Sequence, residues 1–183
     1  MPRINIPDDI VQPSIAAHTV LRNIEGQLGF IPNMFRILSN NTTVFEGLLG
    51  LIDSLSNGTI SSSTRERIAL AVAEINESNY CLAAHSFIGR NQNRLSQSEM
   101  IVNRRGSSLD AKAASAVEFA VTIAKQRGKT SKADFDAIRS AGYNDAEIIE
   151  IIALVSVNIF TNYLNETLDT DIDFPKAGKV VSA

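Results

Sequence analysis

The chain of 183 residues carries 17 Lys and Arg against 20 Asp and Glu, a formal charge of −3, and 44% of its residues are hydrophobic. This length supports one domain with its own core, and the charge balance offers no basic surface for nucleic acid. Cys81 is the single cysteine, which excludes an intramolecular disulfide and a zinc site built from several thiolates. Because neither an apolar signal segment nor a run of 18 apolar residues occurs, we expect a soluble, cytoplasmic protein with no membrane partner.

Helix signals recur along the whole chain, and no convincing pair of strands interrupts them. Apolar residues return every three or four positions, between Ser, Asn, Asp and Gly residues that are typical of helix ends. In chain order, the predicted helices cover residues 14–28, a short segment after Pro32, 43–56, 65–75, a segment from the polar break at 76–79 to about 89, a brief apolar stretch at 100–102, 109–127, a segment between Ser131 and Gly142, and 145–167. For the last of these, Asn144 and Glu147 form a plausible N-cap pair.

These signals predict an all-α single domain of helix-on-helix packing. We divide it into N-terminal helices (1–60), motif helices (61–90), C-terminal helices (91–168) and a tail (169–183). The tail has no periodicity and is expected to be extended.

Residues able to do covalent or acid–base chemistry concentrate between Glu66 and His85. Cys81 and His85 are four residues apart, so on a helix they share a face, and the imidazole can take the thiol proton. If Ser78 or Asn76 caps this helix, Cys81 lies in its first turn, where the helix dipole favours an anion. We therefore expect the pKa of the thiol to lie below its ordinary value of about 8.5. Glu66, on the preceding helix, can orient the histidine if the two helices fold back together.

Each of these residues also has a purely structural interpretation. Cys81 can be a small buried hydrophobic residue, and His85 a partly exposed histidine without a role. The pair Ser63 and Glu66 fits a capping box, and Ser78 fits an N-cap better than a catalytic hydroxyl. The sequence leaves these alternatives open.

The spacing of the candidate residues resembles a known family. The chain reads Arg65-Glu66-Arg67-Ile68-Ala69-Leu70-Ala71-Val72-Ala73, then Asn76-x-Ser78-x-Tyr80-Cys81-x-x-Ala84-His85. This stretch resembles the core signature of the AhpD-like alkylhydroperoxidases of the carboxymuconolactone decarboxylase superfamily, in which Glu, Cys, Cys and His follow at the same spacing. Residues 29–36 and 169–175 resemble two further segments of the peroxidase-related subgroup, so the resemblance extends over nearly the whole chain.

The resemblance implies an AhpD-like helical bundle that assembles as a trimer or hexamer and uses no metal, haem, flavin or other cofactor. It assigns Cys81 as the nucleophile toward a small hydroperoxide, His85 as the base and Glu66 as the carboxylate that polarises the histidine. Ser78 replaces the family's first cysteine, which closes a disulfide. The sulfenic acid of Cys81 would therefore be resolved by an external thiol or by another subunit's Cys81. Ser78 and Tyr80 are supporting candidates, Ser78 as a hydrogen-bond donor to the sulfur.

The leading interpretation is thus a peroxidase-like enzyme with a single reactive cysteine. The first alternative is a non-redox, carboxymuconolactone decarboxylase-like enzyme that uses Glu66 and His85 as acid and base. The second is a helical oligomer without catalysis, in which Cys81 is a thiol sensor or only packs.

Overall fold

The computed structural model describes residues 1–10 and 13–178, and all regular secondary structure in this part of the chain is helical. The helices are α1 (Ile15–Leu28), α2 (Asn33–Leu38), α3 (Thr42–Ser56), α4 (Ser62–Ile75), α5 (Asn79–Asn91), α6 (Gln97–Arg104), α7 (Ala111–Gln126), α8 (Lys132–Ser140) and α9 (Asp145–Leu168). This confirms the predicted all-α class. The tail is extended as far as it is described, and its residues 179–183 lie outside the described residues.

Side-chain caps set the helix boundaries. At the start of α9, Asn144 Oδ1 accepts the Glu147 N–H at 3.0 Å and the Glu147 carboxylate accepts the Asn144 N–H at 2.8 Å, so the predicted cap pair is a full capping box. At the start of α4, the Ser61 hydroxyl accepts the N–H of Thr64. Because Ser61 is the cap, α4 begins about one turn earlier than the periodicity predicts.

The main core forms where α4 packs against α7 and α9. Alanines on α4 and α7 allow these helices to approach closely, and branched side chains fill the space between them. The fully buried members include Ile68, Val72, Val117, Ile151 and Val155. A second cluster, with Leu21, Phe45 and Leu49, joins α1, α2 and α3. α5 packs along α4 and against α9, and this places the motif residues between two core helices.

α9 is the one helix in the described chain that is long and apolar enough to cross a membrane, with a mean hydropathy of 1.5 over 18 residues. Core helices of water-soluble proteins pass the same test. Here α9 buries Ile151, Leu154 and Val155 in the main core, so its hydropathy is weak evidence for a membrane span. The absence of a membrane partner stays a prediction.

The segment after α9 returns across the N-terminal part of α5. It leaves the helix at Asp169, whose φ of +52° is left-handed, and continues without regular structure. Phe174 is buried among the rings of Phe30, Tyr80 and Phe87, with ring centroids 5.3 to 5.9 Å from its own. The tail therefore covers the end of α5 that carries Cys81.

Candidate functional site

Packing of α4 along α5 brings Glu66 to His85, as the spacing predicts. Glu66 Oε2 lies 2.9 Å from His85 Nδ1, and both side chains are mostly buried. In the neutral imidazole the carboxylate accepts the proton on Nδ1, which leaves the lone pair on Nε2 free to accept a proton. The capping-box interpretation of Ser63 and Glu66 is wrong, since Ser61 caps α4 and Glu66 binds the histidine.

Cys81 is the third residue of α5, and Ser78 occupies the N-cap position as expected. The Ser78 hydroxyl makes no capping hydrogen bond, however, and its side chain is fully buried beside the thiol. The Cys81 side chain is also buried, with 2% of its surface exposed. Ser78 is therefore an N-cap by position, while its hydroxyl belongs to the surroundings of the sulfur.

Three polar side chains of α9 complete these surroundings. Thr161, Asn162 and Asn165 face the thiol, and the Asn165 amide donates a hydrogen bond from Nδ2 to Cys81 Sγ at 3.5 Å. All three residues are buried. These three residues were not predicted from the sequence. Polar residues at positions 158, 161, 162 and 165 of a mostly apolar helix are a visible signal, because this spacing places them on one face.

The expected low pKa of the Cys81 thiol is wrong. Burial raises the pKa, and the polar groups of Ser78, Asn162, Asn165 and Thr161 that face the sulfur lower it by less. No cation contacts the sulfur among the described residues, and no hydrogen bond joins Cys81 to His85. The desolvation of a buried thiolate thus outweighs the favourable position in the first turn of α5.

Several buried polar atoms around the thiol lack a hydrogen-bond partner of regular geometry within the described residues. These atoms are Ser78 Oγ, Asn162 Nδ2 and Asn165 Oδ1. Asn162 is satisfied only through its Oδ1, which accepts from Asn76 Nδ2 at 2.9 Å. An unpaired buried polar group costs about 1–3 kcal/mol, so this environment is expensive for a cysteine that only packs. An anionic or oxidised sulfur would offer an acceptor to the Ser78 hydroxyl and to Asn162 Nδ2, whereas Asn165 Oδ1 is itself an acceptor and needs a donor.

Tyr80 anchors the tail and does not contact the sulfur through its hydroxyl. Its O–H donates to Asp173 Oδ1 at 2.8 Å and its oxygen accepts the Met34 N–H at 3.1 Å. Asp173 also accepts the N–H of Asn33, the first residue of α2, at 2.6 Å. Burial and the neighbouring charge of Asp173 raise the pKa of Tyr80, so the phenol stays protonated and its hydrogen bonds hold the tail against α2.

Replacing Asp173 with alanine should loosen the tail. The change leaves the N–H of Asn33 and the hydroxyl of Tyr80 without their acceptor, and we expect a loss of about 1–3 kcal/mol in the free energy of unfolding. Faster tryptic cleavage at the exposed Lys176 should accompany it. Urea denaturation and limited proteolysis measure the two effects. The exposed Asp171 supplies the matched control, Asp171→Ala, and equal behaviour of the two variants would contradict the anchoring role.

No group of three or more His, Cys, Asp or Glu side chains in residues 1–10 and 13–178 is arranged to hold a metal ion. The groups that the site brings together are the sulfur, the imidazole, the carboxylate and the amides described above.

No protein-family model matches the sequence, and no curated protein is significantly similar to it. Solved structures are similar over almost the full length. An uncharacterized peroxidase-related protein from Silicibacter sp. TM1040 shares 24% identity with a TM-score of 0.78, covering 93% of this chain and 91% of its own. An AhpD-core, peroxidase-related protein from Ralstonia eutropha JMP134 shares 23% identity with a TM-score of 0.81, covering 94% and 92%.

A third similar structure is the debrominase Bmp8, solved without ligand and, as a Cys-to-Ala variant, in complex with 2,3,4-tribromopyrrole. It shares 21% identity with a TM-score of 0.74, and the match covers 92% of this chain and 94% of that protein. At these identities the comparisons establish the fold. The chain has the helical fold of the AhpD-like, peroxidase-related proteins.

Proposed function

We propose that the protein is a thiol peroxidase that reduces small hydroperoxides through Cys81 alone. The observation that carries this proposal is the polar environment of the Cys81 sulfur. Four polar side chains face it, some of their atoms lack other partners, and the Glu66–His85 pair lies one helical turn away along α5. The similarity in fold to peroxidase-related proteins supports the same chemistry.

In the first half-reaction, the sulfur of Cys81 attacks the terminal oxygen of the hydroperoxide. The S–O bond forms as the O–O bond breaks, the alcohol leaves with a proton, and Cys81 becomes a sulfenic acid. Because burial raises the pKa of the thiol, little thiolate exists at neutral pH, and a base is needed. His85 is that base through its free Nε2, directly or through water, with Glu66 stabilising the imidazolium.

In the second half-reaction, an external thiol condenses with the sulfenic acid, and water leaves. A second external thiol then attacks the mixed disulfide, which releases the Cys81 thiol and an oxidised disulfide. Ser78 has no sulfur to close an internal disulfide. A disulfide between two copies of Cys81 needs Cα atoms about 4.4–6.8 Å apart, and the burial of this side chain makes that approach unfavourable.

The proposal includes assembly as a trimer or hexamer and a cytoplasmic location. Exposed apolar side chains on α9, at Ile149, Phe160 and Tyr163, together with Leu51 on α3, offer an interface for the trimer or hexamer. A lone unpaired thiol fits a reducing, cytoplasmic compartment.

The test is the intact mass of the protein after one equivalent of cumene hydroperoxide, with and without a sulfenic-acid probe such as dimedone. We expect a probe adduct on the wild type and none on Cys81→Ser. The rate should exceed that of the urea-unfolded chain, whose thiol lacks the site. An adduct that forms no faster than on the unfolded chain would contradict the proposal and favour the non-redox alternatives.

A parallel reaction contains 2,3,4-tribromopyrrole and excess external thiol, because the similar debrominase binds this compound in its Cys-to-Ala variant. Release of bromide without formation of sulfenic acid would redirect the proposal from peroxides to halogenated rings.

A further inference from the structure

Two surface cavities are walled by the segment after α9, and they carry opposite charge. The first, about 330 Å³, lies between the start of α5 and the end of α9, and we call it the acidic cavity because Glu166, Asp169 and Asp171 line it against one cation, Lys176. The second, about 300 Å³, lies between α5 and α6. We call it the basic cavity because its charged lining residues are Arg90, Arg104 and Lys176.

The acidic cavity reaches the side chain that touches the sulfur. Its charged lining residues are exposed, whereas Tyr80, Asn165 and Thr170 in its lining are buried. Asn165 is 2% exposed and donates from Nδ2 to Cys81 Sγ and to the Thr161 carbonyl oxygen. Asn165 therefore belongs both to the lining of this cavity and to the contacts of the thiol.

Two polar atoms of these buried lining residues have no hydrogen-bond partner among the described residues. They are Asn165 Oδ1 and Thr170 Oγ1, both in side chains more than nine-tenths buried. Native structures rarely leave such groups unpaired, and a ligand is one of the partners that satisfies them. The two atoms offer a small molecule one acceptor, on the amide that contacts the thiol, and one hydroxyl in the same cavity lining.

The basic cavity lacks this connection. None of the side chains that hydrogen-bond to the Cys81 thiol lines it. Its arginines already have partners, since Arg104 Nε donates to Glu74 at 2.6 Å and Arg90 donates to Gln97 at 2.5 Å. The basic cavity is therefore the alternative, positively charged entrance against which the acidic cavity is tested.

We propose that the acidic cavity is the entrance to Cys81, that it admits small uncharged molecules with a hydrogen-bond donor and disfavours anions, and that Asn165 positions the incoming molecule against the sulfur. This inference rests on the proposed function for its substrate, an uncharged alkyl hydroperoxide. The hydroperoxide O–H donates to Asn165 Oδ1, and Thr170 Oγ1 completes the contact. Because Nδ2 of the same amide lies 3.5 Å from Sγ, this hydrogen bond brings the peroxide oxygens to the sulfur.

Charge provides the selection. Three carboxylates line the entrance against the ammonium group of Lys176, and the N-terminal ammonium of Met1 lies 3.3 Å from Asp169 Oδ2, so one negative charge remains in excess. Charged clefts change association rates by about 10 to 10³-fold, and the effect declines as salt is added. Hydroperoxides that carry a carboxylate should therefore react more slowly than uncharged ones of similar size.

A pair of alkylating reagents tests the entrance without using peroxide chemistry. Iodoacetamide and iodoacetate are alike in size and differ by one negative charge, and their rate ratio on glutathione supplies the reference. On native Cys81 we expect the ratio of iodoacetamide to iodoacetate to exceed the reference by about tenfold at low salt. High salt should reduce the excess, and so should the double variant Glu166→Gln with Asp171→Asn. Asp53→Asn, an exposed change on α3, is the matched control and should leave the ratio unchanged.

The role of Asn165 in positioning the peroxide is tested by comparing two reactions of one variant. Asn165→Ala should slow sulfenic-acid formation with cumene hydroperoxide by about tenfold more than it slows iodoacetamide alkylation. Loss of the Nδ2 hydrogen bond to Sγ affects both reactions, whereas loss of Oδ1 affects only the reaction with the peroxide. If Asn165→Ala folds poorly, the same two reactions are compared in Thr170→Val, which removes an unpartnered hydroxyl at nearly constant volume. Here too we expect the reaction with the peroxide to slow more than the alkylation. Loss of both reactions in parallel in a folded variant would show a structural role and overturn the positioning role.

The outcomes separate this inference from the proposed function. A ratio at or below the reference overturns the acidic entrance and favours the basic cavity. Protection of native Cys81 from both reagents overturns the acidic entrance without favouring either cavity. A raised ratio that falls in the double variant supports the entrance even when no sulfenic acid forms. In that case only the peroxidase proposal fails.

Discussion

Replacing His85 with glutamine should slow the oxidation of Cys81 by cumene hydroperoxide about 10²-fold at neutral pH, the lower end of what a positioned base contributes. The thiol is buried among uncharged groups and its pKa is raised, so the reaction depends on removal of its proton. Glu66→Gln keeps a hydrogen-bond acceptor at His85 Nδ1 and removes the charge that stabilises the imidazolium. We expect a smaller loss from that change, about tenfold.

The rate deficit of His85→Gln should depend on pH. A raised thiol pKa means that the thiolate fraction increases as the pH rises above neutrality, and hydroxide then replaces the missing base. The deficit of His85→Gln should therefore shrink with rising pH. Trapping of the sulfenic acid with dimedone measures both rates. His18→Gln, at the exposed and only other histidine, is the control. A deficit shared by both variants, or one that is constant with pH, would contradict a base at His85.

The second large effect concerns stability. Glu99 is 5% exposed, and its carboxylate accepts hydrogen bonds from Arg67 Nε at 2.7 Å, Asn103 Nδ2 at 2.9 Å, Ser108 Oγ at 2.6 Å and the Leu109 N–H at 2.9 Å. These bonds join α4, α6 and the start of the α7 region. Glu99→Ala leaves a mostly buried guanidinium without its partner, and breaking such a pair costs about 3–5 kcal/mol. Urea denaturation measures the loss in the free energy of unfolding.

Acid should remove this contribution. Burial alone would raise the pKa of Glu99, but the hydrogen bonds from Ser108, Asn103, Leu109 and Arg67 lower it to about 2 from an ordinary value of 4.5. A lowered pKa stabilises the folded state fully above the unfolded value, and the benefit disappears as the pH falls toward about 2. The gap between wild type and Glu99→Ala should narrow over that range. Glu25→Ala, an exposed change on α1, should cost little at any pH, and an equal cost would contradict the network.

The helices could be predicted from the sequence because the signals for each helix lie within its own residues and those beside its ends. Apolar spacing identifies the buried face, and pairs such as Asn144 with Glu147 mark an end. The start of α4 was misplaced because Ser61, Ser62 and Ser63 are consecutive and only the fold decides which one caps. Of the candidate site, the Glu66–His85 contact was predictable, since both residues lie in neighbouring helices of one motif.

The remainder of the site is not local. Thr161, Asn162 and Asn165 lie about 80 residues beyond Cys81 and reach it only because α9 packs on α5. The sign of the thiol pKa was missed for the same reason. Helix position is visible in a sequence, whereas the depth at which a side chain is buried depends on every element packed around it.

The buried polar face of α9, at Asn158, Thr161, Asn162 and Asn165, has one more consequence. A smooth apolar helix can rotate or slide against its neighbours at little cost, whereas a helix with several amides on one face has few tolerable registers. A rotation of α9 by one residue would turn these amides toward the aliphatic core. The residues that surround the sulfur thus also fix the rotation and the axial position of α9, the longest helix of the described fold. Replacing them with leucine would remove both the polar face that fixes the position of α9 and the surroundings of Cys81.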